Sequence, residues 1–175
     1  MRSAPLAVTA LTAAALLLTA CSSDGDGDGG NTGSGTACAV GAVDIEVGPA
    51  NAAPAAGDTG NVPVTVTNRG DDACTLDGFP RVELRAAGDA SAVLPEEEGA
   101  QPQQLTLAKD TAATFTITYV RGEDGGSGSL DAQQLAIGLP GGDDEQSFPW
   151  SYGPVPVGGE DTPDATVSTF LQAGD

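Results

Sequence analysis

The side chains with the widest chemical repertoire in this chain are its three cysteines, Cys21, Cys38 and Cys74. A cysteine thiol can be acylated, can form a disulfide, or can act as a nucleophile or metal ligand. The chain has no histidine, which excludes Ser-His-Asp and Cys-His catalysis, zinc sites built on imidazole, and the usual general base near neutral pH. The composition therefore favours acylation or disulfide formation for these thiols.

The residues before Cys21 have the layout of a secretory signal. Arg2 supplies a positive charge, and the uncharged apolar run over residues 6–18 is too short for a membrane span of about 20 residues. Residues 18–21 read LTAC, which resembles the lipobox of bacterial lipoproteins, whose cysteine is acylated and becomes the mature N-terminus. We predict a lipoprotein signal peptide over residues 1–20. Plain secretion and a retained helix are the alternatives.

Acylation of Cys21 would determine where the protein is located. Each buried acyl CH₂ contributes about 0.8 kcal/mol, and stable anchoring takes more than one chain, such as diacylglycerol together with palmitate. We therefore expect a lipid-anchored protein on the extracytoplasmic face of the cell membrane.

Cys38 and Cys74 remain as an isolated pair once Cys21 is acylated. In an oxidising, extracytoplasmic compartment such a pair most often forms a disulfide, whereas reactive thiols are more often spaced as Cys-x-x-Cys. A bond between them would close a loop of 36 residues, worth roughly 3–4 kcal/mol in the chain-entropy view.

The charge of the chain limits its partners. Without residues 1–20 it has 25 acidic and 5 basic side chains, a net charge of −20. Such a chain cannot release counterions from nucleic acid, so we expect no nucleic-acid partner. It also repels anionic lipid headgroups, so the acyl chains must hold it at the membrane. The acidic surface could bind cations or basic partners, but solubility in the envelope explains it equally well.

Residues 21–36 predict a flexible tether that carries the lipidated cysteine. Residues 22–36 (SSDGDGDGGNTGSGT) include no apolar side chain, and such Gly-rich segments behave as coils. Two motif fragments occur there, but neither has its full context. The G-x-G-x-x-G pattern has no flanking strand and helix, and the calcium-loop pattern that begins at Asp24 has Gly35 where the bidentate Glu belongs.

From about residue 37 onwards, apolar and polar residues alternate in short segments, as half-buried strands require. The alternating segments are 43–47, 62–66, 74–76, 82–84, 105–107, 113–119, 135–139 and 148–152, with a possible closing strand over 167–171. Gly, Pro and Asp turns separate them, and no window has a convincing helical period. Pro63 cannot donate to a ladder, which predicts a sheet edge or a bulge there. We predict one all-β, Ig-like β-sandwich over residues 37–175.

Several of these segments together resemble a known family. Residues 73–80 (ACTLDGFP) follow a moderately specific Cys-Thr-Leu-x-Gly-Phe-Pro motif, and Cys38, residues 62–68, 105–108 and 135–140 fit the rest of the pattern. The family comprises uncharacterised actinobacterial secreted proteins and lipoproteins with an Ig-like sandwich. Over residues 37–171 the resemblance implies the sandwich and the Cys38–Cys74 disulfide, but no activity. The chain lacks the second cysteine pair of many members, and Lys109-Asp110 stands where Pro-Gly is usual.

Three aromatic residues, Phe148, Trp150 and Tyr152, occupy alternate positions, which predicts one face of a strand. If exposed, this face could stack on sugar rings or grip a peptide. If buried, it belongs to the core, where Ig-like sandwiches commonly hold a Trp.

Acidic clusters at residues 96–98, 143–145 and 160–161 lie in polar loops. A carboxylate hydrolase needs two acids across a cleft, one of them with a pKa raised by burial, so we do not expect catalysis here. These clusters could at most bind calcium weakly.

The sequence therefore predicts a non-enzymatic binding or interaction module of the cell envelope, with no cofactor and no dedicated metal site. Its expected partners are the membrane, through the N-terminal lipid, and an envelope protein or polysaccharide. The alternatives are a structural or accessory envelope protein without a ligand, and a weakly calcium-dependent module.

Overall fold

The computed structural model describes residues 36–159 and 162–174, which form an all-β sandwich. Thirteen strands and one 3₁₀ turn, Val40–Ala42, occur in these residues. No helix in this part of the chain is long and apolar enough to cross a membrane. The predicted signal peptide and nearly all of the predicted tether lie outside the described residues.

The first sheet has the order β1-β2-β7-β12, and β13 also pairs with β7. Its strands are β1 Val43–Val47, β2 Thr59–Asn68, β7 Ala112–Val120, β12 Ala165–Val167 and β13 Leu171–Gln172. All of its pairings are antiparallel, and β2 and β7 form its centre. β-Branched and aromatic residues alternate with threonines along these two strands, so one face is buried and the other faces outwards.

The second sheet has the order β10-β9-β4-β5, also antiparallel. Its strands are β4 Arg81–Ala86, β5 Ser91–Val93, β9 Ala132–Gly138 and β10 Glu145–Pro149. The neighbours β1-β2-β7 and β10-β9-β4 correspond to strands A-B-E and G-F-C of the immunoglobulin fold. The predicted all-β sandwich is therefore confirmed.

Two small sheets complete the fold. One pairs β3 (Cys74–Leu76) with β6 (Leu105–Leu107), and the other pairs β8 (Ser129–Leu130) with β11 (Val155–Pro156). The main core lies between the two large sheets and is fully buried. Its principal side chains are Val62, Val64, Val66, Phe115, Ile117, Tyr119, Val82, Leu84, Leu135 and Ile137.

Cys38 and Cys74 form a disulfide that joins the segment before β1 to β3, as predicted. Both cysteines are buried. The backbone reinforces the link, because the Cys38 amide donates to the Thr75 carbonyl and the Thr75 amide donates to the Thr36 carbonyl, both at 2.9 Å.

The predicted strands are largely present, with differences at three places. The 148–152 segment is not one strand, since β10 ends at Pro149 and Trp150 turns into the core. The predicted strand over 167–171 is also wrong, because residues 168–170 are not in a strand and separate β12 from β13. The short strands β5, β8 and β11 had no alternating pattern long enough to predict.

Pro63 lies in an interior strand, yet its missing amide has little effect on pairing. The last β1–β2 pair is Val47 with Val64, so Pro63 lies just beyond it. The Gly48 amide donates to the Pro63 carbonyl at 2.8 Å. Because Pro63 has no amide hydrogen, it cannot donate to the Gly48 carbonyl in return. The Tyr152 hydroxyl lies 3.4 Å from that carbonyl instead.

The turn between β6 and β7 explains one departure from the family pattern. Asp110, which stands where a glycine is usual, has a φ of 61°, a conformation that glycine adopts freely. Its amide donates to the Asn68 carbonyl at 2.8 Å, and its carboxylate lies 3.3 Å from the Arg69 guanidinium. Asp is among the few other residues that tolerate this conformation.

Candidate functional site

The sandwich has two distinct ends. The proximal end is where the chain enters, and contains Thr36, Asn68 and Gly141. Val43 pairs with Asn68 there, and a Cβ on Gly141 would lie 2.8 Å from the Ala37 Cβ. The distal end contains Gly57, Arg121, Ser129 and Val157. β2 runs from the distal end, where Thr59 pairs with Val120, to the proximal end at Asn68. Its ten residues therefore separate the two ends by about 30 Å.

Two grooves lie at the distal end and share Ser127, Gly128 and Ser129. The first has a volume of about 460 Å³ and runs from Gly57 past Arg121. The second has a volume of about 480 Å³. Glycine, serine and alanine form most of both walls, so the main chain is accessible to a ligand. Such a surface suits recognition through backbone hydrogen bonds.

The second groove lies between β5 and the loop that leads into β8. Its lining consists of Asp89–Ala92, Ser127–Leu130, Val157 and Gly158. These segments are distant in sequence and meet only in the fold. Of the lining residues only Asp89 is charged.

An aromatic cluster closes the core beside the first groove. The Trp150 ring packs edge-on against Tyr119 at 5.1 Å between centroids and against Tyr152 at 4.9 Å. The Trp150 indole donates to the Gly153 carbonyl at 2.7 Å, and the Tyr119 hydroxyl donates to the Tyr152 carbonyl at 3.2 Å. Burial, together with the nearby Tyr119, raises the pKa of Tyr152, so this hydroxyl stays protonated near neutral pH.

The predicted acidic clusters are exposed or ion-paired where they are described. Glu96–Glu98, Asp143 and Asp144 are exposed. Glu145 lies 2.6 Å from the Arg85 guanidinium. The 160–161 cluster lies outside the described residues. No group of three or more potential metal ligands occurs in residues 36–159 and 162–174.

Arg85 also pairs with Glu83, so its guanidinium links β4 to β10 across β9. The pKa of Glu83 is lowered, because a hydrogen bond from Ser91 outweighs partial burial and Arg85 adds to the effect. Glu83 therefore stays ionised at neutral pH, unlike a general acid, which must hold its proton. This cluster ties strands together on the outer face of the second sheet.

Residues 38–171 match the family described as a domain of unknown function, DUF4232. The chain belongs to the DUF4232 family. The match spans both sheets and both distal grooves of the DUF4232 domain. The comparison with curated proteins found no match.

The DUF4232 domain does not present Phe148, Trp150 and Tyr152 as one exposed face. Trp150 is only 5% exposed, and Phe148 and Tyr152 are half-buried. The sequence pattern allowed for a buried Trp150, but its alternation continues past the end of β10 and therefore predicted too long a strand. It also missed the grooves, whose Gly/Ser-rich loop over residues 121–129 has no distinctive motif.

The burial of Trp150, the single tryptophan of the chain, leads to a direct prediction for the DUF4232 domain. The Stern–Volmer constant for iodide quenching of its fluorescence should be several times smaller in the folded protein than in urea, because the ion cannot reach a buried indole. Acrylamide provides the comparison with a neutral quencher, since the acidic surface also repels iodide. Equal quenching of folded and unfolded protein by both quenchers would contradict the burial.

Proposed function

We propose that the chain is a lipoprotein, anchored through Cys21 on the extracytoplasmic face of an actinobacterial cell membrane. Its sandwich is a non-enzymatic module that binds an envelope protein or polysaccharide through the distal end. The observation that carries this proposal is the placement of the grooves at the end opposite to the point where the chain enters the domain.

Several features support this arrangement. An anchor that precedes Thr36 leaves the distal end free to face away from the membrane, where a partner can reach it. The Cys38–Cys74 disulfide suits an oxidising compartment outside the cytoplasm. The burial of Trp150 disfavours the aromatic segment as a binding surface and leaves the distal loops or an accessory protein without a ligand. The proposal takes the distal loops.

Membrane attachment is tested by Cys21→Ser, which removes the thiol to be acylated. We expect the wild type in the membrane fraction and the variant in the soluble fraction or the medium, a loss of more than tenfold from the membrane. Ser22→Ala serves as the matched control, because it alters the neighbouring residue and keeps the thiol. Membrane attachment of Cys21→Ser that matches the wild type would contradict the anchor.

Distal-end binding is tested by photo-crosslinking in native membranes. A photoreactive amino acid at Ser127 lies in the shared part of both grooves, whereas one at Gly142 lies at the proximal end, in open space. We expect higher-mass adducts from position 127 in clear excess over position 142. Equal yields, or adducts from position 142 alone, would contradict the proposal and favour an accessory protein without a ligand.

A further inference from the structure

One edge of the second sheet has free backbone groups. In the β4–β5 pair, the Leu94 amide donates to the Val82 carbonyl, and the Ala86 amide donates to the Ala90 carbonyl. The even-numbered residues of this segment therefore direct their backbone groups towards β4. Ser91 and Val93 direct theirs away from it. No strand in the described part of the chain pairs with that side of Ser91–Val93.

The second distal groove runs along this free edge. It includes Ala92, whose side chain faces the interior, so the groove lies in the opening between the two sheets. Leu130 and Val157 supply further apolar surface. Beyond β5 the opening closes, because the Val167 amide donates to the Pro95 carbonyl and the Glu97 amide donates to the Val167 carbonyl. The free edge is thus limited to Ser91–Val93, and Ser91 and Ala92 of this segment line the groove.

An extended polypeptide fits these features. Its main chain repeats donors and acceptors at the spacing of a strand edge, and alternate side chains on one face can contact Ala92, Leu130 and Val157. Val93 is 59% exposed, and β5 has neither the lysine nor the proline that commonly protects an edge strand.

Charge determines which polypeptide is favoured. The chain without residues 1–20 has a net charge of −20, and Asp89 is the charged residue that lines the groove. An acidic segment would be repelled and a basic one attracted. The segment that precedes Thr36 in this chain is itself acidic, so it is a poor occupant.

We propose that the distal groove binds a partner's extended segment of alternating apolar and basic residues, which adds as a strand to the free edge of β5. This inference rests on the proposed function for the role of the distal end. It names the partner class as a polypeptide.

The test uses the full mature lipoprotein in detergent micelles and an alternating Lys-Val decapeptide. Two analogues are N-methylated, one on the valines and one on the lysines, and an alternating Glu-Val decapeptide controls for charge. Because alternate amides of a bound strand face β5, we expect at least one methylated analogue to bind about tenfold more weakly or worse. The Glu-Val peptide should bind about tenfold more weakly as well. Equal affinity of the Lys-Val peptide and both methylated analogues would overturn the proposal, as would absence of Lys-Val binding.

Two measurements on the protein locate the bound strand. In hydrogen exchange, the Ser91 and Val93 amides should gain at least tenfold protection when the Lys-Val peptide binds. Val93→Pro removes an amide that faces away from β4 and should weaken binding about tenfold, whereas Val93→Thr keeps the amide and should bind as the wild type does. If Val93→Pro fails to fold, the methylated peptides and hydrogen exchange still decide. Unchanged exchange at both amides would overturn the proposal.

The proposal can fail separately from the proposed function. If the position-127 adducts form but are digested by glycosidases, and the peptides do not bind, strand addition is wrong while distal-end binding stands. If position 127 gives no excess of adducts over position 142, distal-end binding itself is wrong, and if Cys21→Ser remains at the membrane, the lipid anchor is wrong.

Discussion

Replacing Gly60 with alanine is expected to lower the free energy of unfolding by about 3 kcal/mol, the upper range for overpacking a core. Gly60 pairs with Tyr119 across β2 and β7. A Cβ at this position would lie 2.4 Å from the Tyr119 Cε1 atom. The ring cannot easily move, because it is fully buried and its hydroxyl bonds the Ala53 amide and the Tyr152 carbonyl, each at 3.2 Å.

Urea unfolding of Gly60→Ala measures this cost. Gly142→Ala is the matched control, since a Cβ there meets open space, and it should change stability by less than about 0.5 kcal/mol. A double-mutant cycle with Tyr119→Leu isolates the clash. Gly60→Ala should lower the free energy of unfolding much less once the tyrosine ring is absent. Equal costs of Gly60→Ala in the two backgrounds would show that the clash with Tyr119 is not the cause.

Removing the disulfide with the pair Cys38→Ala and Cys74→Ala is expected to cost about 4 kcal/mol. The bond closes a loop of 36 residues, and its loss restores the conformational entropy of that loop to the unfolded chain. Stability should be measured by urea unfolding with and without dithiothreitol, applied under conditions that reduce the buried bond. The double variant should be insensitive to the reductant, and the reduced wild type should approach it.

Cys21→Ser provides the control for the disulfide experiment, because it replaces the third cysteine of the chain. Its unfolding midpoint should still fall when the reductant is added, since the Cys38–Cys74 bond is intact. If the double alanine variant were as stable as the oxidised wild type, the loop-closure account would be refuted.

The large strands could be predicted from the sequence because one face of each is buried. Ala113, Phe115, Ile117 and Tyr119 alternate with threonines, and the burial of β7 alternates in the same register. The disulfide was also predictable, since Cys21 has a separate expected role and two cysteines remain.

The distal end could not be predicted, because contacts distant in sequence determine it. Trp150 leaves the strand pattern to pack on Tyr119, which is 31 residues earlier in the chain. The short strands β8 and β11 pair only where the chain returns near its end. The edge of β5 is free because no described strand other than β4 pairs with it. A local sequence pattern does not show which distant strands pair.

The disulfide also sets how the domain responds to mechanical load. A pull on the chain ahead of Cys38 passes through the covalent bond into β3, before it reaches β1 at Val43. Without that bond, tension would unzip β1 from β2 one residue pair at a time, starting from Val43 and Asn68. With it, Cys74 and β3 carry part of the tension, so β1 is no longer the only strand that bears a pull on the N-terminal segment.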